Sequence, residues 1–135
     1  KKIEGCVKLL GVRKDINRVF AASDIFSLTS ISGEGLPLVV MESMASGAVP
    51  VCTDSGGTKD VIGSIGIVVP QKDPASLAKG IIEILDKEKG LRKKISCQAV
   101  DRIRNKFSFD NVVKLYENTI YASIADKRKR RIANV

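Results

Sequence analysis

Apolar positions along this chain follow two alternating periods. Short runs rich in β-branched residues are interleaved with stretches where apolar residues recur every third or fourth position. That alternation marks a parallel sheet covered by helices. Cys6–Leu10 reads as a strand ending at Gly11, and Asp15 as the cap of a helix whose Ile16, Val19 and Phe20 share one face. Beyond Ser23-Asp24 the pattern gives a strand over Ile25–Thr29, a polar loop over Ser30–Gly35 and a helix opening around Pro37, which suits a first helical turn. That helix runs through Met41, Met44 and Ala45 to Gly47, where a residue free to take positive φ ends it before a strand at Val49–Cys52.

The strand opens into the loop Asp54-Ser55-Gly56-Gly57, followed by a short helix over Lys59–Ile62 and a small strand over Ile65–Val69. Asp73-Pro74 starts a helix with Leu77, Ile81, Ile84 and Leu85 on one face, and two more helices span Leu91–Asn105 and Phe109–Ile124. The order is βαβαβ with a helical C-terminal part. The expected fold class is α/β, a three-layer Rossmann-like parallel sheet that binds its ligand at the carboxyl ends of its strands. Met41, Met44 and Cys52 read as core packing.

A length of 135 residues with 44% hydrophobic content suits one compact domain. No apolar run approaches the roughly 18 to 20 residues that cross a bilayer, and the amino end lacks the layout of a signal peptide. The chain opens at Lys1-Lys2-Ile3 without an initiator Met, so an upstream part is expected. Cys6, Cys52 and Cys97 are odd in number and far apart, which offers neither a CxxC metal pair nor a disulfide framework; a reducing cytoplasm is the simplest compartment. Histidine is absent, which removes Ser-His and Cys-His pairs and imidazole metal sites from anything this chain does alone.

The net charge of +8 is concentrated, because Lys127-Arg128-Lys129-Arg130-Arg131 supplies a large share of it. Residues 1–126 are read as the domain and 127–135 as a basic tail. Such a tail is most simply a solvated charge run, with peripheral contact to the cytoplasmic membrane leaflet as its next use. With aromatics at 4% and no Trp there is little to stack on bases, so nucleic acid is not an expected partner.

The chemistry lies in Gly33-Glu34-Gly35-Leu36-Pro37-Leu38-Val39-Val40-Met41-Glu42-Ser43-Met44-Ala45-Ser46-Gly47 and the Val49-Pro50-Val51 that follows. Unpaired N–H groups at a helix start carry the positive end of the helix dipole, so the turn from Gly35 to Leu38 is suited to a diphosphate. Glycine lets a ligand come close to the backbone. Glu34 precedes the turn and Glu42 lies about two helical turns further on, and carboxylates accept hydrogen bonds from vicinal sugar hydroxyls. The blander reading makes Glu34 a neighbour of the helix terminus held by the dipole, at about 0.3 to 1 kcal/mol. For Glu42 that reading is an exposed helix residue. Its mostly apolar helix argues for a ligand, since a buried unpaired carboxylate is costly. The Gly56-Gly57 pair serves equally as a plain turn or as a ligand contact.

This stretch resembles the Glu-x7-Glu signature of retaining, nucleotide-sugar-dependent glycosyltransferases of the GT-B architecture, close to family 4, the group 1 glycosyl transferases. An acidic-Gly-hydrophobic-Pro turn, a Met-Ala-Ser-Gly helix end, a Val-Pro-Val strand and a Gly-Gly loop follow in the family's order. Asp73-Pro74-Ala75-Ser76-Leu77-Ala78 and Phe107-Ser108-Phe109 are similar to its later landmarks, so the likeness covers roughly residues 5 to 121. The resemblance implies the donor-binding, C-terminal half of such an enzyme. Glu34 would contact the donor sugar, Glu42 the ribose, and the main chain of Gly35, Leu36 and Leu38, with Pro37 in the same turn, the diphosphate or sugar. Gly11, Val12 and Arg13 would pass beside the base.

No metal or cofactor is implied beyond the nucleoside diphosphate sugar itself, and the nucleophile would be a hydroxyl of a glycan or lipid-linked acceptor. Lys59-Asp60 departs from the family, which more usually has a Glu after its Gly-Gly loop. The basic pair that neutralises the diphosphate and the acceptor site belong to segments upstream of Lys1, so the isolated chain is expected to be inactive. Three alternatives stay open: a non-catalytic nucleotide-sugar-binding module, a fragment of a GT-B nucleotide-sugar epimerase, and an interaction domain acting through the basic tail.

Overall fold

The computed structural model describes the backbone of residues 3–133 and the side chains of residues 3–127. Three parallel strands form one sheet in the order β1 (Ile25–Phe26), β2 (Val49–Thr53), β3 (Ile67–Val69). Helix α1 (Ile16–Ala21) precedes β1, α2 (Leu38–Ala45) and α3 (Thr58–Ile62) connect the strands, α4 (Pro74–Leu85) follows β3, and α5 (Lys89–Phe107) and α6 (Phe109–Ala133) close the chain. The Rossmann-like α/β class expected from the pattern is the class observed.

The central strand explains the layering. All five residues of β2 are buried, as expected of a parallel strand covered on both faces. Val49 and Val51 point to one side, where Ile84, Leu77 and Ile81 of α4 meet them. Cys52 points to the other, among Val40 and Met44 of α2, Val61 and Ile62 of α3 and Ala99 of α5. The sheet is therefore sandwiched between α4 and a layer formed by α2, α3 and α5. Phe20 of α1 packs edge-to-face on Phe26, with ring centroids 5.3 Å apart, and ties α1 to β1.

Proline sets the register on one side. Pro50 has no N–H to give the ladder, and pairing with β3 begins one residue later, at Val51 opposite Ile67. That places the start of β3 at Ile67 rather than at the expected Ile65. On the other side β1 pairs only through Ile25 and Phe26, shorter than the expected Ile25–Thr29. The chain still tracks β2, since Thr53 donates its N–H to the Leu28 carbonyl at 2.9 Å.

The expected strand at Cys6–Leu10 does not form. A strand exists only with a neighbour to pair with, and among the described residues β1 pairs with β2 alone. Val7, Leu9 and Leu10 are exposed instead, Leu9 almost fully. Pro37 occupies the cap position of α2, with the helix starting one residue later at Leu38. Asp15 stands at the cap position of α1 but makes no side-chain cap; its carboxylate takes the Arg13 guanidinium at 2.6 Å. Asp73, by contrast, caps α4 as expected, accepting from the Ser76 N–H at 2.9 Å. Helix α2 ends at Gly47 with φ +92°, as its sequence requires. Helix α6 packs on α5 and continues through the basic cluster to Ala133, where a separate tail was expected from residue 127.

Candidate functional site

The carboxyl ends of β1 and β2 carry the loop that holds Glu34. Leaving β1, the chain passes Ser30, whose carbonyl accepts a hydrogen bond from the Thr53 hydroxyl at the end of β2 at 2.6 Å. The Ser30 hydroxyl in turn donates to Glu34 Oε1 at 2.6 Å. Glu34 is half-buried, and its carboxylate direction is thereby fixed before any ligand arrives.

Beyond Glu34 the turn presents main-chain donors. The N–H groups of Gly35, Leu36, Leu38 and Val39 have no acceptor among the described residues; the first bonded amide of the helix is that of Val40, which donates to the Pro37 carbonyl. Four unpaired amides around a helix start are a natural seat for anionic oxygen. Gly35 and Leu36 are exposed, Pro37 is buried beneath the turn, and Leu38 is 68% exposed. The loop Asp54–Gly57 supports this turn from below, with the Gly57 N–H donating to the Gly35 carbonyl at 2.7 Å.

Glu42 lies on the exposed face of α2. Burial therefore does not argue for a ligand here: the costly buried carboxylate expected from the apolar helix is not observed. What marks Glu42 is its setting. It lines an open cleft of about 420 Å³ with Lys14, Asn17 and Phe20, and among the described residues its carboxylate has no hydrogen bond or ion pair. Arg13 precedes that cleft, and its guanidinium is held by Asp15 at 2.6 Å. The pair lowers the Asp15 carboxyl and raises the Arg13 guanidinium, chiefly through their shared hydrogen bond. Gly11, with φ +64°, and Val12, fully exposed, form an open segment beside it.

The structure thus groups the expected residues in two places. Glu34, Gly35 and Leu36 are clustered with Ser30, Thr53 and Gly56-Gly57, whereas Glu42 faces Lys14 and Asn17. Sequence reasoning missed Ser30, Thr53, Lys14 and Asn17. A hydroxyl four residues before Glu34 was the only local hint of Ser30; nothing local announces Thr53. Lys59, at the departure from the family pattern, is paired with Asp54 at 2.6 Å, and Asp60 is exposed in α3, where its carbonyl accepts from Arg102.

The family described as glycosyl transferases group 1 matches residues 1–87, well over half of the chain. The chain belongs to the group 1 glycosyl transferases. Similar members include the amylovoran biosynthesis glycosyltransferase AmsK of Erwinia amylovora, 34% identical over 61% of this chain and 22% of its own length. An N,N'-diacetylbacillosaminyl-diphospho-undecaprenol alpha-1,3-N-acetylgalactosaminyltransferase of Campylobacter jejuni is 31% identical over 86% of this chain and 32% of its own. An exopolysaccharide phosphotransferase of Streptomyces coelicolor is 30% identical over 94% of this chain, but over only 14% of its own length. The chain therefore spans between 14% and 32% of these relatives. In this glycosyl transferase domain no described helix is long and apolar enough to cross a membrane.

Proposed function

We propose that this domain is the donor-binding, C-terminal half of a GT-B glycosyltransferase. The parent enzyme would move a sugar from a nucleoside diphosphate sugar to a glycan or lipid-linked acceptor with retention of configuration. The observation that carries this reading is the row of unpaired amides at Gly35, Leu36, Leu38 and Val39 beside a carboxylate, Glu34, already oriented by Ser30.

In this reading the amides hold the diphosphate and stabilise the charge that develops on it as the glycosidic bond breaks. Glu34 accepts hydrogen bonds from the donor sugar, and Glu42, exposed and unpaired at the rim of its cleft, takes the ribose hydroxyls. The segment Gly11–Arg13 passes the base. No metal or further cofactor is assigned. The basic side chains that complete the diphosphate site and the acceptor site lie in the rest of the longer protein. The undecaprenyl-linked substrate named for the Campylobacter relative supports a lipid-linked acceptor, and the amylovoran relative supports polysaccharide synthesis. The match to the phosphotransferase leaves most of that protein uncovered and does not bring its activity here. A cytoplasmic location, with the Lys127–Arg131 cluster touching the inner membrane face, fits such an acceptor.

The test is calorimetric titration of the full-length protein with UDP, GDP, ADP and their sugar conjugates, wild type beside Glu42→Ala. One nucleotide family should bind and lose affinity in the variant. Equal binding by both proteins would refute the assignment of Glu42, and no binding of any nucleotide would refute the donor-site reading.

A further inference from the structure

The glycine pair of the Asp54–Gly57 loop was open to two uses, a plain turn or a ligand contact. The structure points to a third. Gly56 has φ +52°, a region that disfavours any side chain. A Cβ built on it would overlap the Glu34 carbonyl oxygen and stand 2.8 Å from the Gly35 carbonyl oxygen. At Gly57, where φ is an ordinary −79°, a Cβ would lie 2.9 Å from both the Gly35 carbonyl oxygen and Leu36 Cδ1. The neighbours of Gly56 are all backbone of the turn itself, which cannot swing aside as the tip of a flexible side chain can; those of Gly57 are the Gly35 carbonyl, which cannot, and the end of the Leu36 side chain, which can. The Gly57 N–H completes the seat by donating to the Gly35 carbonyl at 2.7 Å. That bond fixes the peptide between Gly35 and Leu36, and so aims the Leu36 N–H away from the loop.

We infer that Gly56 and Gly57 are positioning residues for the donor: they form a seat on which the Glu34–Leu36 main chain rests, and its depth sets where the unpaired amides stand. The inference rests on the donor-site reading above. Neither glycine need touch the ligand. Inserting one methyl group at Gly56 lifts the turn by a distance comparable to the contact it displaces, and misplacement by about 1 Å in a binding site can cost on the order of a hundredfold in rate.

A matched control is present in the fold. Gly63 also has positive φ, +59°, but the atoms nearest a Cβ there belong to the Arg102 guanidinium, which bonds the Val61 and Asp60 carbonyls away from the Glu34 turn. Gly63→Ala therefore strains a positive-φ glycine without touching the Glu34 turn.

The experiment is steady-state kinetics of the full-length enzyme as wild type, Gly56→Ala, Gly57→Ala, Gly63→Ala and Glu34→Gln, with thermal melts of each. Gly56→Ala should lower kcat/KM for the donor by about tenfold to a hundredfold at unchanged acceptor KM, Gly57→Ala by less, and Gly63→Ala not at all, although it lowers the melting temperature. Should Gly56→Ala fail to fold, Gly57→Ala, free of the φ penalty, carries the test alone. If the Gly56 and Gly57 variants behave like Gly63→Ala while Glu34→Gln weakens donor use, the seat is refuted and the donor site stands. If Glu34→Gln also leaves kcat/KM for the donor unchanged, the donor-site reading falls and the seat with it.

Discussion

Thr53 and Glu34 are linked through a single residue. The Thr53 hydroxyl donates to the Ser30 carbonyl at 2.6 Å, and the Ser30 hydroxyl donates to Glu34 Oε1 at 2.6 Å. The last residue of the buried central strand therefore controls the direction of a half-buried carboxylate at the rim of the sheet. Rigidity of the core is passed to the site by two hydrogen bonds rather than by packing, which is how a short loop can hold a fixed geometry.

Ser30→Ala should loosen Glu34 without removing it. A hydrogen bond to a charged group contributes about 1.5 to 3 kcal/mol when well shielded, and about 1 kcal/mol is reasonable for a half-exposed one. Donor affinity should fall about fivefold, and Ser30→Thr, which keeps the hydroxyl, should restore most of it. Donor titrations in which Ser30→Ala binds as well as wild type would show that the link orients nothing that matters to binding.

Glu42 separates binding from stability. It is exposed and without a partner among the described residues, so Glu42→Ala should leave unfolding free energy within about 0.5 kcal/mol of wild type. If Glu42 takes the ribose hydroxyls as proposed, its loss should nevertheless weaken nucleotide binding by on the order of tenfold to a hundredfold. Denaturant melts and calorimetry on one protein sample distinguish the two effects. A variant that loses stability and binding in parallel would point to a structural role instead.

Local signals were legible in the sequence and non-local ones were not. The Asp73 cap, the Gly47 helix stop and the apolar face of α4 each depend on residues within one or two turns, and all were readable. The strand expected at Cys6–Leu10 was misread because its pattern is right but its partner is absent from the described sheet. Pairing, unlike helix formation, cannot be judged from one segment. The site divided in the same way. Glu34 and the Gly35–Leu38 turn are contiguous, so their grouping at one turn was readable. Thr53 and the Gly56-Gly57 seat lie some twenty residues away in the chain, and their roles exist only because β2 ends beside the loop that follows β1. Glu42 was singled out partly on burial, and the structure shows it exposed; the helix hides Val40, Ser43 and Met44 and turns Glu42 outward.

Asp73 predicts an acid dependence of stability. The Ser76 side chain and N–H both bond its carboxylate and hold it below the usual carboxylate range. A depressed folded-state pKa contributes stability that is complete above the unfolded value, about 3.9, and is lost as pH falls through the folded value. Asp73→Ala should therefore melt a few degrees below wild type at pH 7, and the gap should close below about pH 4. A gap of constant size from pH 7 to pH 2 would mean that the cap acts without its charge.

Cys52 offers a probe of the strand that carries the site. Its thiol is buried among Val40, Met44 and Val61, and burial pushes it up to about 11, against the partial opposition of the Leu28 N–H. Since the thiolate is the reactive form, an alkylating reagent at pH 8 should label exposed Cys6 and Cys97 quickly and reach Cys52 only when β2 opens. The next residue along the strand is Thr53, which anchors Ser30, so an opening that exposes Cys52 also releases Glu34. A nucleotide sugar that binds the closed form alone must then slow Cys52 labelling by the factor 1 + [L]/Kd, while Cys6 and Cys97 react as before. Mass spectrometry of each cysteine over time reads this directly. Labelling of Cys52 as fast as that of Cys97 in native buffer would show that the central strand is not the rigid element on which the site depends.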